Sequence, residues 1–261
     1  MNPILLAVLV AAALAVIAGV ILAVASIVFA VPKDEKADAL RECLPGANCG
    51  ACGYSGCDGY AAAMASGEAK VGLCSPGGEE VAKATGALLG VEASAVKKAA
   101  HVRCSGCDQM AEKSLVYQGV PSCAAAAKFF GGDKACAYGC LGYGDCVSVC
   151  QYDALHIENG IAVVDRDKCT GCGMCAAKCP KALIAVSEVK TAAIVSCRSH
   201  DKGAVARKAC KAACIGCMKC QKVCESDAIH VTNFLAEVDP EKCTACGKCV
   251  EACPQHCIEM L

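Results

Sequence analysis

The pattern of apolar and polar positions splits the chain into one unbroken apolar run, a polar hinge and a long remainder of short alternating stretches. Residues 1–32 contain no charged side chain, and Leu, Val, Ile and Ala dominate residues 3–31. Such a run exceeds the roughly 20 residues that cross a bilayer as a helix. No basic segment precedes it, as one would in a cleaved leader. The expectation is a transmembrane helix over residues 1–32. The following Lys33, Lys36 and Arg41 put its C-terminal side in the cytoplasm, giving a single-pass protein of the cell membrane. Residues 33–45 read as a polar connector. A module fills residues 46–100, with helices expected at 79–89 and from 94 to about 101. Farther on, stretches 154–157 and 161–164 flank Asn159-Gly160, a strong two-residue hairpin signal. Stretches 229–232 and 235–238 flank Asn233-Phe234 in the same way.

The two hairpins lie on a repeat that cysteine makes plain. Cys140, Cys146, Cys150, Cys169, Cys172, Cys175 and Cys179 recur 74 residues later as Cys214, Cys220, Cys224, Cys243, Cys246, Cys249 and Cys253. This divides the remainder into residues 101–189 and 190–261, each opening with an arm. Adding Cys217 gives the second copy C-x2-C-x2-C-x3-C, the spacing with which a chain wraps a cubane iron–sulfur cluster. The expected fold class is α+β: an N-terminal transmembrane helix, a small glycine-rich 4Fe-4S module, and tandem two-cluster ferredoxin-like domains with short hairpins and helices.

Composition agrees. Cysteine accounts for 27 of 261 residues, while aromatic content is 4% with no Trp, so bulky side chains do not build the core. Metal ligation supplies folding free energy where a large apolar core is missing. An odd cysteine count, with three thiols inside seven residues, argues against a disulfide framework, and thiols kept reduced imply the cytosolic side of a membrane. The formal charge of −1 says little by itself, and no nucleic-acid partner is expected.

In a two-cluster ferredoxin three close cysteines hold one cubane and the fourth reaches across to the other. The second copy then pairs Cys214, Cys217 and Cys220 with Cys253, and Cys243, Cys246 and Cys249 with Cys224. In the first copy Cys169, Cys172 and Cys175 are completed by Cys150. Its other loop has Tyr143 where the middle cysteine belongs, and Cys136, one helical turn before Cys140, is the replacement, giving Cys136, Cys140, Cys146 and Cys179. The N-terminal module is a separate device: Cys49, Cys52, Cys57 and Cys74 in a glycine-dense frame. Zinc is the plainer alternative, but zinc sites favour two C-x2-4-C pairs.

Val102-Arg103-Cys104 with Asp108 resembles Val195-Ser196-Cys197 with Asp201, and the arms end at Cys123 and Cys210. These four cysteines, Cys104, Cys123, Cys197 and Cys210, are expected to bind a sixth cubane. Two alternatives stay open: Cys210 serving the ferredoxin loop, since it aligns with Cys136, and Cys107 displacing Cys104. Cys43, Cys107 and Cys257 are left as small buried residues. His156 and His230 recur on strands and read as structural. Lys190, Arg198, Lys202, Arg207, Lys208 and Lys211 surround a single acid, Asp201, either as a solvated face or as a dock for an acidic carrier. No dinucleotide or phosphate loop is legible, and no catalytic constellation either, so the chain has no nucleotide site of its own.

An apolar run, the segment LPGANCGACGYSGCDGYAAAMASGEAKVGLCSPGG over residues 44–78, and tandem ferredoxin loops together resemble the B subunit of the Rnf complex, in its longer multi-cluster form found in anaerobes. The resemblance covers essentially the whole chain. It implies a membrane-anchored electron-transfer subunit of an ion-translocating ferredoxin:NAD+ oxidoreductase, with six [4Fe-4S] clusters. Soluble acidic ferredoxin would be the donor, other Rnf-type membrane subunits the partners, and Na+ or H+ the translocated ion. The competing reading is a stand-alone polyferredoxin or the iron–sulfur subunit of a one-carbon enzyme.

Overall fold

The computed structural model describes residues 3–28, 34–190 and 192–261. Along the chain run α1 (Pro3–Val28), α2 (Glu35–Glu42), α3 (Cys57–Ala65), α4 (Gly78–Leu89), β1 (Lys98–Val102), α5 (Cys123–Ala127), β2 (Leu155–Glu158) and β3 (Ile161–Val164). There follow α6 (Met174–Lys178), β4 (Ile184–Glu188), β5 (Ala193–Val195), α7 (Gly203–Ala209), α8 (Lys219–Lys222), β6 (Ile229–Thr232), β7 (Leu235–Val238), α9 (Lys248–Glu251) and β8 (Ile258–Met260).

The membrane anchor expected over residues 1–32 is corrected: among the described residues no helix is long and apolar enough to cross a membrane. The α1 backbone spans 26 residues without an acid in its first turn or a base in its last. Residues 1–2 and 29–33 lie outside the described residues. The fold is therefore mixed α and β built on iron–sulfur modules, and the transmembrane element, the single-pass localisation and the membrane-anchored role are not retained.

A short helix pair opens the remainder. Asp34 caps α2 by accepting from the Lys36 and Ala37 amides, and Arg41 reaches Asp58 on α3 at 2.6 Å. Leu40, Leu44, Tyr60 and Met64 close the small core between them. The helix expected from residue 94 is instead extended chain that ends in β1. That strand, Lys98–Val102, finds its partner in β4, with Val102 opposite Ile184.

Among the described residues four antiparallel two-stranded sheets complete the fold: β1 with β4, β2 with β3, β5 with β8 and β6 with β7. Leu155 faces Val164 in the first hairpin and Ile229 faces Val238 in the second. Val195 stands opposite Ile258, which is Ile184 displaced by 74 residues. The arms carrying β1 and β5 thus occupy equivalent places in the two units. Each described cluster of buried apolar residues contains cysteine, so the core is divided among the thiol sites.

Candidate iron–sulfur sites

The N-terminal loop forms site 1. Cys57 begins α3, and its amide donates to Asn48 Oδ1 at 2.8 Å. Gly56 sits at φ +137°, where an added Cβ would stand 3.0 Å from that same oxygen. The loop so tightened brings Cys49 and Cys52 toward Cys57 and Cys74. Burial raises the Cys74 thiol, and the thiols of Cys57, Cys49 and Cys52 raise it further.

In the first unit the thiols gather in three cavities. Cys150, Cys169, Cys172 and Cys175 line one, site 2. Cys123, Cys140, Cys146 and Cys179 line another, site 3. Cys104, Cys136, Cys197 and Cys210 line the third, site 4, between the two arms. The structure therefore exchanges Cys123 and Cys136 relative to the sequence grouping. Residues 136–139 form a turn closed by the Gly139 amide on the Cys136 carbonyl, not a turn of helix continuing to Cys140. Cys123 takes the vacated place because Asp145, beside Cys146, gathers the start of α5. It accepts from the Cys123 and Ala124 amides and from Ser122 Oγ, at 2.9, 2.9 and 3.0 Å. Burial alone would raise the Asp145 carboxyl, but these donors outweigh it and hold it below the usual carboxylate range. Sequence reasoning missed Asp145; its signal was the Ser-Cys-Ala-Ala-Ala start of a capped helix at residue 122.

The second unit repeats the plan. Burial lifts the Cys220 thiol to about 11, with Cys214, Cys217 and Cys253 adding to it, which marks site 5. Cys243 and Cys246 act on Cys249 in the same sense and belong to site 6. Cys224, the remaining member expected there, accepts from the Ala228 amide at 3.3 Å. Its counterpart Cys150 accepts from the Ala154 amide at 3.4 Å.

Neighbouring sites are linked by shared segments, by hydrogen bonds or by the field of one thiol on the next. The Cys49 thiol acts on Cys172, linking sites 1 and 2. Sites 2 and 3 share the loop from Cys146 to Cys150 and the helix end from Cys175 to Cys179. The Cys140 amide donates to Cys104 Sγ at 3.4 Å, joining sites 3 and 4. The Cys214 amide donates to Cys197 Sγ at 3.3 Å, joining sites 4 and 5. Sites 5 and 6 share the Cys220–Cys224 and Cys249–Cys253 segments.

The donor chemistry fits cubane clusters. Each cubane iron takes its own thiolate, which spaces the sulfurs apart, whereas one zinc draws four sulfurs to about 2.3 Å from a single centre. Among the described residues no group of three or more His, Cys, Asp or Glu is drawn together closely enough to hold one metal ion. The cavities of sites 2, 3 and 4 are of like size, and four cysteines line each. Backbone amides already point at sulfur, as at Ala100 to Cys169, 3.3 Å. Burial lifts the thiols of Cys146 to about 12 and of Cys175 and Cys197 to about 11, so loading must displace protons.

The other candidates fall outside these sites. Cys257 is 2% exposed and lies 3.7 Å from Cys253 Sγ. The interaction between the Cys257 and Cys214 thiols holds Cys214 below the usual thiol range and pushes Cys257 above it. His156 and His230 are exposed beside Glu158 and Asp227, each at 3.7 Å. Lys190 is engaged by Glu188 and Glu241, while Arg207 and Lys208 are exposed on α7, which leads into Cys210.

Known proteins share these features. Residues 44–76 match the FeS cluster family, 162–184 the 4Fe-4S binding domain and 213–257 the 4Fe-4S dicluster domain. The chain is 45% identical to the B subunit of the ion-translocating oxidoreductase complex of Methanosarcina acetivorans, over 93% of this chain and 92% of that one. It is 44% identical to the B subunit of the Na(+)-translocating ferredoxin:NAD(+) oxidoreductase complex of Acetobacterium woodii, over 99% of this chain and 78% of the relative. The B subunit of the proton-translocating ferredoxin:NAD(+) oxidoreductase complex of Clostridium ljungdahlii is 39% identical, over 100% of this chain and 94% of its own. The chain binds multiple 4Fe-4S clusters and transfers electrons as one part of an oxidoreductase complex. It belongs to the B-subunit family of Rnf-type ferredoxin:NAD+ oxidoreductase complexes.

Proposed function

We propose that the chain holds six [4Fe-4S] clusters in a line, sites 1 to 6 as grouped above, and carries electrons along it from reduced ferredoxin to another subunit of the complex. When bound, the clusters supply one-electron redox chemistry. The chain's own part is spacing and insulation: amides aimed at sulfur, apolar walls, and thiols shared between neighbouring loops. The hydrogen bonds from Cys140 to Cys104 and from Cys214 to Cys197, which join sites 3 to 5 across the two units, support this reading, because tunnelling rates fall steeply with distance.

The ends of the line differ in access. Cys246 is exposed at site 6, as is Cys217 at site 5, whereas Cys57 and Cys74 of site 1 are buried. The donor therefore reaches the line at site 6, and electrons leave beside site 1. The rest of the complex then spends the drop in potential on NAD+ reduction and on moving Na+ or H+. A stand-alone polyferredoxin is disfavoured, since relatives matched over nearly their full length are named as subunits of complexes.

Metal and sulfide analysis, with stopped-flow reduction by ferredoxin, tests the reading. About 24 iron and 24 sulfide per chain are expected from six cubanes. Cys246→Ala should slow reduction of the remaining clusters at least tenfold. Zinc in place of iron, or unchanged reduction of the Cys246→Ala protein, would overturn it.

A further inference from the structure

Lys134 is the one lysine among the described buried residues, 5% exposed. Its ammonium donates to the Gly106 carbonyl at 2.8 Å and to the Gly160 carbonyl at 2.9 Å. Gly106 lines the cavity of site 4, and Gly160 packs on the loop that carries the site 3 cysteines. A Cβ on Gly106 would stand 3.2 Å from Cys210 Sγ and 3.5 Å from Cys104 Sγ, both of site 4. The Gly160 carbonyl presses on Gly142, in the loop from Cys140 to Cys146 of site 3; a Cβ there would lie 2.5 Å from it.

A buried ammonium is costly unless an anion answers it. The nearby Asp108 carboxylate is engaged with Lys113 at 3.5 Å, and no carboxylate pairs with Lys134 among the described ion pairs. Burial raises the thiols of Cys140 in site 3 and Cys210 in site 4, and the Lys134 charge works against that rise at both. The repeat supplies an internal contrast: Lys134-Ala135-Cys136 recurs 74 residues later as Lys208-Ala209-Cys210, and Lys208 is exposed.

We propose that Lys134 is the shared counter-ion of the clusters at sites 3 and 4, a positioning residue that raises the reduction potential of both where the line crosses between units. The proposal rests on reading those thiol sets as cubane sites. Each reduction adds one negative charge to a cluster, and a fixed positive charge between two of them favours that step at either one. Lys208, facing water, has no such effect.

The test is an EPR-monitored redox titration of the full, loaded chain carrying Lys134→Met, Lys134→Gln, Lys134→Arg or Lys208→Met, with iron counted in each. At the potential where sites 3 and 4 of the unaltered chain are half reduced, the two neutral variants should show a reduced-to-oxidised ratio at least tenfold lower. That corresponds to about 59 mV for one electron. Lys134→Arg and Lys208→Met should stay within twofold, and the other four sites should not move. Unchanged ratios in the neutral variants would overturn the proposal. So would loss of iron from sites 3 and 4 in both of them, since Lys134 would then be only a strut between two carbonyls. An unaltered chain lacking about 24 iron would instead defeat the cluster reading itself.

Discussion

The two ferredoxin-like units start from one plan and end in different surroundings. Site 2 and site 6 come from the same loop, yet Cys169 and Cys175 are buried while Cys246 is exposed. The first loop is roofed by its arm: the Ala100 amide of β1 donates to Cys169, and Gly171 lies so close to Lys98 that a Cβ would come within 2.7 Å. The second loop has Ala245 at the place of Gly171, at φ +56°, and its shorter arm forms a three-residue strand. Duplication supplied two equal loops. What packs on each decides which is an inner relay and which is an open end.

The largest effect that would break this contrast belongs to Asp145. It has no counterpart in the second unit, where residue 219 is Lys. Asp145→Ala removes three hydrogen bonds to a charged acceptor, each worth about 1.5–3 kcal/mol. The expected outcome is loss of the site 3 cluster, about four iron per chain, with site 5 intact. Iron analysis with EPR spin counting checks it.

The next effect compares Gly142 with Gly216, equivalent positions at φ +75° and +65°. A Cβ at Gly142 meets the Gly160 carbonyl at 2.5 Å, whereas at Gly216 the nearest atoms, in Phe234, are 3.0 Å away. Gly142→Ala should cost about 2–4 kcal/mol from backbone strain and overpacking combined, and Gly216→Ala about half as much. Thermal unfolding of the loaded chains would show the order, and a reversed order would mean that the second hairpin presses harder on its loop than the first.

The smallest effect concerns acid. His101 on β1 is half-buried, and burial, then Arg103 and Arg166, lower its pKa below 6.5. Because the folded value lies under the unfolded one, His101 contributes stability above about pH 6.5 and loses it as pH falls. His101→Gln should flatten the drop in melting temperature between about pH 6.5 and 5.5, and a change at the second arm, β5, should not.

The repeat and the two hairpins were legible because their residues sit at fixed short spacings. Sites 3 and 4 were not fully so. Distance along the chain favoured Cys136 as the partner of Cys140, but the turn at residues 136–139 points it to the neighbouring site, and Asp145 carries Cys123 in. Site 4 is then made of two equivalent pairs, Cys104 with Cys197 from the arms and Cys136 with Cys210 from the repeat. That symmetry was present in the numbering, yet a local spacing argument overrode it. The strand at residues 98–102 was also missed, since its partner β4 lies more than 80 residues away in sequence. The apolar run was over-read, because length and hydropathy alone were asked to decide a membrane crossing.

Iron counted in paired cysteine variants tests the grouping of sites 3 and 4 most directly. Cys104→Ala with Cys136→Ala should lose about four iron, no more than either single change, because both serve one cubane. Cys123→Ala with Cys136→Ala should lose about eight. The opposite result, about eight for the first pair and about four for the second, would contradict the partition and return Cys136 to the site of Cys140.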